Sequence, residues 1–403
     1  MRLNSNFFMV LCLATGIVAN AYIIYRLTIG FKLSEFFKQN QNAIPNCEID
    51  INDVMSFVET RHFLELEEME KKKENNKNHE KTVQSLLYAF DGGGLGNKLF
   101  EMISLLGIAN TLKRKPVINS TNAGIVKAIS ENIQPIFPNL VEQFHLKILP
   151  PESVVNVKMN WVTCCIFDDP SKLLNSSDTH LNLNGHYFQS FKYFNHMRPQ
   201  IRQWLTPRKL TAVRAEMLLP AKFRKGFLIC THVRRGDFTS DGVHQPSDAN
   251  FTRSATDFLV ALYKKSHRNV NVVVLGNDVQ FAEAVFRDRS NNFTFLPKLN
   301  SSALNYSIPE VSPEYTAILT PTLAPDIDLA FSRLFCDVTL ITAPSSTFAW
   351  WLSYLAKRRA VTYYRDIEDS KDGVANEMIP QDFYLPEWVR LKMDVNRRIS
   401  TFY

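Results

Sequence analysis

The feature that most constrains this chain is the heptapeptide His-Val-Arg-Arg-Gly-Asp-Phe at residues 232–238, which follows the apolar segment Phe227–Cys230. The apolar segment predicts a buried strand, and open α/β sheets bind ligands outside the carboxyl ends of their strands. An arginine there can grip a phosphate through two parallel hydrogen bonds. Because side chains alternate along a strand, Arg234 shares a face with His232, and Arg235 takes the other. The pattern favours Arg234 as the ligand-facing arginine. The alternative is that both arginines serve only as structural ion-pair partners.

An α/β pattern precedes the heptapeptide. The apolar segment Ser85–Phe90 predicts a strand, a glycine-rich loop follows at 91–97, and a helix with apolar positions through residues 99–109 leads to a strand at Val117–Ile118. Together these form a βαβ unit. The glycine spacing is G-x-G-x-G, and Asn119–Thr121 stand where a dinucleotide site needs an acidic residue, which argues against NAD. The remaining interpretation of the glycine-rich loop is that its lack of side chains lets a helix begin close to a ligand.

A second α/β pattern includes the heptapeptide and runs to the end of the chain. Strands are expected at Phe227–Val233, Asn271–Leu275 and Val338–Thr342, and helices at 256–265, 280–287, 327–335 and 348–357. Ser345 or Ser346 is a natural N-cap for the last of these helices. Backbone amides and hydroxyls at such a helix start suit a phosphate. The Arg234 strand end and this helix start therefore both suit a diphosphate.

The first residues bear on the cellular compartment. Phe7–Tyr25 is apolar over 19 residues, enough for a helix of about 28 Å, close to the thickness of a bilayer core. Ala19-Asn20-Ala21 would suit a cleaved signal peptide, but the apolar run continues to Tyr25 and favours an uncleaved anchor. Six N-x-S/T sequons indicate that the bulk of the chain is lumenal. They are Asn119, Asn175, Asn250, Asn292, Asn300 and Asn305.

The charged stretch that follows predicts a stem that is helical in part or disordered. We therefore expect a cytoplasmic tail at 1–6, a transmembrane signal anchor at 7–27, a stem at 28–84, and two α/β domains at 85–220 and 221–403. The formal charge is +6, and Lys71–Lys73 is embedded among glutamates, which argues against a nucleic-acid partner. None of the six cysteines forms a C-x-x-C pair, so we expect no zinc site. Cys230, within the apolar strand, is expected to be a buried thiol.

An aromatic stretch at 185–194 has two interpretations. Its rings could line a sugar site, because aromatic faces stack on the apolar faces of pyranoses. They could also be ordinary core residues, which is the favoured interpretation for its phenylalanines.

Four motifs together resemble the signature blocks of the galactoside α-1,2-fucosyltransferases. They are Gly-Gly-Leu-Gly-Asn at 93–97, the heptapeptide at 232–238, Leu-Gly-Asn-Asp at 275–278 and Ser-Thr-Phe-Ala-Trp-Trp-Leu-Ser-Tyr-Leu at 346–355. The segment at 187–194 is similar to another stretch of that family. The blocks occur in family order over roughly residues 86–365, with mild departures at Lys98 and Ala349, and the acceptor-side middle region matches weakly.

The resemblance implies a GT-B-like α/β fold in which two Rossmann-type domains face a cleft. It also implies GDP-fucose as donor, a galactose-terminated glycan as acceptor, inversion at fucose C1, and no cofactor or metal. The expected location is the Golgi membrane, as a single-pass type II protein with a lumenal catalytic domain.

The resemblance also implies site residues. Arg234 would hold the donor diphosphate, supported by Arg235 and Asp237, with His232 near the nucleotide. Further donor-binding candidates are Asn277, Asp328, Ser345, Ser346 and Thr347, and acceptor-side candidates are Gly94, Gly96 and Asn97. The candidate catalytic residues are Arg234, Asp237 and Asp241. The general base stays open between Asp237, Asp241 and His244.

Three alternatives compete with this interpretation. Asp326-Ile327-Asp328 is a D-x-D sequence, as in metal-dependent glycosyltransferases, but it opens an amphipathic helix, where Asp326 is expected as N-cap and Asp328 near the helix dipole. A protein O-fucosyltransferase would use similar glycine-loop and arginine motifs. A catalytically inactive lumenal sugar-nucleotide-binding protein would keep the fold, although the intact arginine motif argues against it.

Overall fold

A computed structural model describes residues 80–160, 162–289 and 315–402. The expected tail, the anchor and nearly all of the stem lie outside these residues, as do three of the six sequons, Asn292, Asn300 and Asn305. Within the described part of the chain, no helix combines the length and the apolar character that a membrane crossing needs.

The N-terminal half of the described chain contains a five-stranded parallel sheet in the order β3-β2-β1-β5-β4. Its strands are β1 (Thr82–Ser85), β2 (Lys115–Asn119), β3 (His145–Lys147), β4 (Val154–Lys158) and β5 (His180–Asn184). The helices of this half are α1 (Leu95–Leu112), α2 (Ala123–Asn132), α3 (Pro138–Val141), α4 (Arg198–Trp204) and α5 (Lys209–Met217). Strand β1 lies between β2 and β5, so the glycine loop leaves the sheet where strand order reverses, the usual place for ligands in such sheets.

The prediction of a strand at Ser85–Phe90 was wrong in its position. The strand ends at Ser85, and Tyr88–Phe90 form a short 3₁₀ turn. Ala89 and Phe90, two of the three residues of this turn, are buried. Burial explains the apolar run, because a short apolar segment does not distinguish a strand from another buried element. Since β1 begins at Thr82, the last residues of the expected stem belong to this sheet.

The C-terminal half contains a seven-stranded sheet in the order β12-β11-β10-β9-β6-β7-β8, parallel except for β12. Its strands are β6 (Phe227–Val233), β7 (Val270–Gly276), β8 (Ala317–Leu319), β9 (Val338–Ile341), β10 (Val361–Arg365), β11 (Val389–Met393) and β12 (Ile399–Phe402). Its helices are α6 (Ala249–Lys264), α7 (Val279–Phe286), α8 (Pro325–Phe335), α9 (Thr347–Leu355), α10 (Ile367–Ser370) and α11 (Pro380–Phe383). The three strands predicted around the heptapeptide are confirmed.

Strands β6 and β9 are neighbours in this sheet, and the chain leaves them in opposite directions along it, to β7 and to β10. The carboxyl ends of β6 and β9 therefore flank the second position where strand order reverses. The heptapeptide follows β6, and the segment Ser345–Thr347 follows β9.

One of the two apolar core clusters contains residues of both halves. Helix α1 packs against α9, with the Phe100 ring centroid 4.7 Å from that of Trp350 and 5.1 Å from that of Trp351. The Trp351 indole N–H donates to the Gly96 carbonyl at 3.0 Å. Burying large aromatic surfaces from both halves stabilises their contact and fixes the start of α1 against the start of α9.

Two disulfides lie within the described residues. Cys230 on β6 is bonded to Cys336 at the end of α8, with their Cα atoms 5.6 Å apart and both side chains fully buried. The expectation of a free thiol at Cys230 was therefore wrong, because sequence does not show that residues 106 positions apart meet in the core. The second disulfide joins the adjacent residues Cys164 and Cys165.

Candidate active site

A cleft of about 540 Å³ opens along the carboxyl ends of the central strands of both sheets. We define its strand-end wall by His232, Arg234, Asn277 and Ser345–Thr347, and its loop wall by Cys164, His186, Tyr187 and Glu377. The glycine loop 92–97 and residues Asp237, Phe238, Val243, His244 and Asp328 also line it.

Arg234 projects into the cleft from the end of β6. Its backbone N–H donates to the Ser247 hydroxyl and its carbonyl accepts from the Ser247 N–H, both at 2.8 Å, so the chain is fixed at this point. The guanidinium lies over the Phe238 ring at 5.0 Å, and its Nη2 donates to Asp237 at 2.7 Å. Its buried Nε has no hydrogen-bond partner among the described residues. An oriented cation with an unused buried donor is suited to an anionic ligand.

Arg235 takes the opposite direction, as strand alternation predicts. Its Nε donates to Asp278 at 3.2 Å, its Nη1 donates to the Ser247 carbonyl at 2.9 Å, and its guanidinium packs over Phe281 at 4.5 Å. Arg235 does not line the cleft. Both arginines form an ion pair, Arg234 with Asp237 and Arg235 with Asp278, but only Arg234 lines the cleft.

His232 lies beneath Arg234 and is 2% exposed. Burial, with a smaller effect from the Arg234 charge, lowers the pKa of its imidazole to about 3. The ring is therefore neutral at physiological pH. Its buried Nδ1 has no hydrogen-bond partner among the described residues, which leaves one polar atom for a ligand in the cleft.

Asp328 lies near the start of α8 and lines the cleft. Burial raises the pKa of its carboxyl to about 8, with a smaller contribution from Asp326. Its Oδ1 is buried without a hydrogen-bond partner among the described residues. The expected N-cap role of Asp326 was wrong: Ala324 occupies that position because Pro325 begins the helix, and Asp326 instead accepts from the Thr211 hydroxyl at 2.9 Å.

The helix start after β9 has the predicted geometry. Ser346 is the N-cap of α9 and accepts from the Ala349 N–H. Ser345 is already bound to Asp372, to whose carboxylate its hydroxyl donates at 2.6 Å. Ser345, Ser346 and Thr347 all line the cleft. First-turn amides and the positive end of the helix dipole therefore face the same space as Arg234.

The glycine loop meets this helix start directly. A Cβ atom at Gly96 would lie 2.6 Å from backbone atoms of Thr347 and Phe348, so only glycine allows this approach. The next residue, Asn97, accepts at its side-chain oxygen from the Thr347 hydroxyl and from the Gln189 amide, the latter at 3.3 Å. Asn97 thus links both halves of the protein at the floor of the cleft, and Gly94 lines the cleft beside it.

Asp241 and His244 form a pair at the cleft mouth. The Asp241 carboxylate accepts from the backbone N–H groups of Val243 and His244, and from His244 Nδ1 at 2.7 Å. Partial burial raises the pKa of Asp241, but these hydrogen bonds outweigh it and lower the pKa overall. The His244 ring stacks on Phe238 at 4.3 Å and lines the cleft, whereas Asp241 does not. This arrangement leaves His244 Nε2 as the ring nitrogen available to a ligand.

Asn277 fixes the turn after β6. Its side-chain oxygen accepts from the Arg235 N–H at 2.8 Å, and the residue lines the cleft. Asp278 is the N-cap of α7. Asp237, the partner of Arg234, has a side chain 60% exposed at the cleft edge.

The structure therefore brings most of the sequence-predicted site residues to one cleft. Those that line it are Gly94, Gly96, Asn97, His232, Arg234, Asp237, Asn277, Asp328, Ser345, Ser346 and Thr347. Arg235 and Asp241 do not line it. Sequence reasoning did not identify Cys164 or Glu377 as cleft residues. For this wall only the aromatic stretch gave a signal, and it is split: His186 and Tyr187 line the cleft, while Phe188, Phe191 and Phe194 are core residues.

Two further observations concern the described residues alone. They contain no group of three or more His, Cys, Asp or Glu side chains arranged to hold a metal ion. Of the described sequons, Asn175 is exposed and Asn119 is half-buried, whereas the side-chain oxygen of Asn250, within α6, is buried.

Comparison with known proteins identifies relatives of this chain, although no family model matches it. A galactoside 2-alpha-L-fucosyltransferase of Caenorhabditis elegans is 62% identical over 403 residues, all of both chains. Another protein of that name from the same organism is 31% identical over 316 residues, covering 78% of this chain and 81% of its own. Among solved structures, an Arabidopsis thaliana FUT1 mutant in complex with GDP has a TM-score of 0.44 and 12% identity, with 74% of each chain covered. The identity to the first relative over the whole length places the protein: this chain belongs to the galactoside 2-alpha-L-fucosyltransferase family.

Proposed function

We propose that the protein transfers fucose from GDP-fucose to the 2-hydroxyl of a terminal galactose on a glycan, with inversion at fucose C1 and without a metal ion. The observation that carries this proposal is the position of Arg234. Its guanidinium, with one buried donor unused, faces the same cleft as the start of α9, at the position where strand order reverses. The names of the curated relatives supply the fucosyl group, the linkage and the galactoside.

The strand-end wall suits the nucleoside diphosphate. Arg234 can bind the diphosphate bidentately, and the amides at the start of α9 can add further donors. Deeper in the cleft, His232 Nδ1 and Asp328 Oδ1 are unused polar atoms among the described residues. A carboxyl oxygen accepts N–H or O–H groups, so Asp328 is suited to the nucleobase or sugar of the donor.

The reaction is an in-line displacement. The acceptor oxygen forms a bond to fucose C1 from the side opposite the diphosphate, and the bond from C1 to the phosphate oxygen breaks with its electron pair leaving on GDP. Negative charge develops on the leaving diphosphate. Arg234 and the helix start stabilise that charge from fixed positions, the task that a metal ion performs in other transferases.

The acceptor proton requires a base, and His244 is suited to it. Asp241 engages its Nδ1 at 2.7 Å, which orients the ring and leaves Nε2 for the acceptor hydroxyl. His244 and Arg234 both pack on Phe238. The Phe238 ring therefore positions both the proposed base and the arginine proposed to bind the diphosphate. In this assignment Asp241 is a positioning residue. Asp237, paired with Arg234, orients the guanidinium.

We also infer that the catalytic part is lumenal and anchored in the Golgi membrane by residues 7–27, with the domains expected from the sequence except that the N-terminal domain begins at β1. The two disulfides support an oxidising compartment, because such bonds are rare in the cytosol. The anchor itself lies outside the described residues.

The test is transfer from labelled GDP-fucose by the full-length protein in detergent. Acceptors are a panel of β-galactosides and folded peptides, each with and without EDTA, and NMR of the product gives linkage and anomeric configuration. We expect an α-1,2-linked product that forms equally well in EDTA. Transfer to peptide alone would favour a protein O-fucosyltransferase. GDP-fucose binding without transfer would favour a sugar-nucleotide-binding protein, and loss of transfer in EDTA would overturn metal independence.

A further inference from the structure

The loop wall contains a strained turn that presents two rings to the cleft. Tyr187 and Phe188 are consecutive non-glycine residues in the left-handed region, with φ of 57° and 50°. Such conformations are costly for residues with a Cβ atom and concentrate at functional sites. Here the turn directs Phe188 into the core and leaves His186 and Tyr187 half-buried on the cleft, with ring centroids 4.1 Å apart. Core packing alone does not explain why this strained turn ends in a pair of cleft-facing rings.

The disulfide between Cys164 and Cys165 supports this turn. It closes a small ring that includes the peptide bond between the two residues, so the dipeptide is rigid. The Cys164 carbonyl accepts from the Gln189 N–H at 3.0 Å, and the Cys165 carbonyl accepts from the Ile379 N–H at 3.4 Å. The backbone of Cys165 also pairs with that of Met378 in an isolated parallel β-bridge. The rigid dipeptide therefore joins the turn that carries Tyr187 to the segment that carries Glu377.

Glu377 is an exposed carboxylate on the cleft and interacts electrostatically with His186. Among the described residues that line the cleft, Arg234 is the only lysine or arginine, and it lies on the opposite wall. A carboxylate without a neighbouring cation repels a diphosphate but accepts hydrogen bonds from hydroxyl groups. Together with two aromatic rings, this chemistry fits the apolar face and the hydroxyls of a neutral sugar.

The loop wall is also continuous with the proposed base. The Gly373 N–H donates to the Val243 carbonyl at 2.8 Å, and the Gln245 N–H donates to Asp372 at 3.1 Å. The segment 372–379 therefore runs from the loop of His244 to the disulfide. A sugar bound against the loop wall would lie beside His244, on the side of the cleft away from Arg234.

We propose that Tyr187, His186 and Glu377 form the binding subsite for the terminal galactose of the acceptor, and that the Cys164–Cys165 disulfide positions its two halves. This inference rests on the proposed function, because it assigns the acceptor of that reaction to one wall. Tyr187 and His186 stack on the apolar face of the pyranose. Glu377 accepts from its hydroxyls. The disulfide acts by fixing the two carbonyl groups to which the segments of Tyr187 and Glu377 are hydrogen-bonded.

Tyr187 offers a test that separates binding from folding. Tyr187→Gly removes the ring and relieves the left-handed strain, so it does not endanger the fold. We expect the KM for a β-galactoside to rise about tenfold, with the GDP dissociation constant unchanged. Tyr187→Phe keeps the ring and should retain the wild-type KM. Glu377→Gln should raise the acceptor KM in the same way.

The disulfide is tested with Cys164→Ser/Cys165→Ser in the full-length protein. We expect a higher acceptor KM with unchanged GDP affinity and an unchanged melting temperature, because the bond closes almost no loop in the unfolded chain. Galactoside binding is measured in parallel by saturation-transfer NMR in the presence of GDP, which needs no turnover.

The experiments can refute the galactose subsite and the proposed function separately. If the wild-type protein transfers to galactosides but the Tyr187→Gly and Glu377→Gln variants keep its acceptor KM and galactoside binding, the subsite is refuted and the function stands. If these variants lose GDP affinity instead, the loop wall belongs to the donor. If the wild-type protein neither binds nor modifies any galactoside while binding GDP-fucose, the proposed function fails first, and the subsite fails with it.

Discussion

The two walls of the cleft are built in different ways. The strand-end wall consists of residues at the ends of β6, β7 and β9, where a parallel sheet fixes each backbone position and its ligand-facing groups come from short contiguous motifs. The loop wall consists of irregular segments that are far apart in sequence and are joined by isolated hydrogen bonds to the Cys164–Cys165 dipeptide, which its disulfide makes rigid. A regular scaffold suits a fixed diphosphate, whereas loops can change with the acceptor while the donor site remains the same.

The largest effect is expected at the two adjacent arginines. Arg234→Ala should lower kcat/KM by about 10²–10³-fold, because it removes a fixed cation from the leaving diphosphate, and it should weaken GDP binding. Arg235→Ala should act mainly on stability, since it breaks contacts with Asp278 and Ser247. Steady-state kinetics, GDP calorimetry and thermal melts separate the two. Equal losses of activity in both variants, at equal stability, would show that the arginines are not divided as we infer.

The second-largest effect is expected on stability, when the removal of one disulfide is compared with the removal of the other. Cys230→Ala/Cys336→Ala removes a fully buried bond across a sequence separation of 106 residues that anchors the strand carrying His232. We expect it to lower the free energy of unfolding by about 2–5 kcal/mol, measured by denaturant unfolding under non-reducing conditions. The Cys164–Cys165 bond closes almost no loop, so its removal should cost far less stability. A larger loss of stability from the Cys164–Cys165 variant would contradict the assignment of the first bond to the scaffold and the second to the site.

The same difference explains what could be predicted from the sequence. Strands β6, β7 and β9 and the N-cap at Ser346 depend on local patterns, and the alternation that separates Arg234 from Arg235 follows from strand geometry alone. These predictions are confirmed. The neighbouring strand at Ser85–Phe90 was misplaced because a buried 3₁₀ turn has the same apolar signal as a strand.

The loop wall could not be predicted, because its members have no common local pattern. Glu377 reaches the cleft through backbone pairing of Met378 with Cys165, a contact between residues that no period or motif connects. Likewise, the pairing of Cys230 with Cys336 depends on where β6 and α8 meet. Only the aromatic stretch marked this wall in the sequence, and its φ angles, not its composition, decide which of its rings face the cleft.

The third effect concerns His244, which lies where the two walls meet. His244→Ala should lower kcat by about 10²-fold through loss of the base, with GDP affinity retained. Added imidazole should restore part of the activity, because the space beside Phe238 is then vacant. Asp241→Asn should cause a smaller loss, since it disturbs only the orientation of the ring. If imidazole restores nothing and Asp241→Asn is as damaging as His244→Ala, the pair is structural and the base lies elsewhere.

The smallest effect is a pH dependence of stability from Asp328, the buried carboxyl beside the strand-end wall. Its pKa is about 8 in the folded protein, against an ordinary value of 3.8. Between these values the folded state keeps a proton that the unfolded state has lost. The free energy of unfolding therefore falls as pH rises, by up to about 1.4 kcal/mol per pH unit from this group. Asp328→Asn cannot titrate, so its stability should fall less steeply between pH 5 and 8 in denaturant melts.

Glu101 provides the matched control. Burial raises the pKa of its carboxyl to about 8 as well, and it accepts from the Ala89 N–H at 2.9 Å beneath the glycine loop, but it does not line the cleft. Glu101→Gln should flatten the pH dependence in the same way and leave GDP affinity unchanged. Asp328→Asn should in addition weaken GDP-fucose binding about tenfold, because an amide does not reproduce the hydrogen bonding of the Asp328 carboxyl group with the ligand. If both variants bind GDP-fucose like the wild-type protein, Asp328 is a structural carboxyl, and the strand-end wall is limited to the residues around Arg234 and α9.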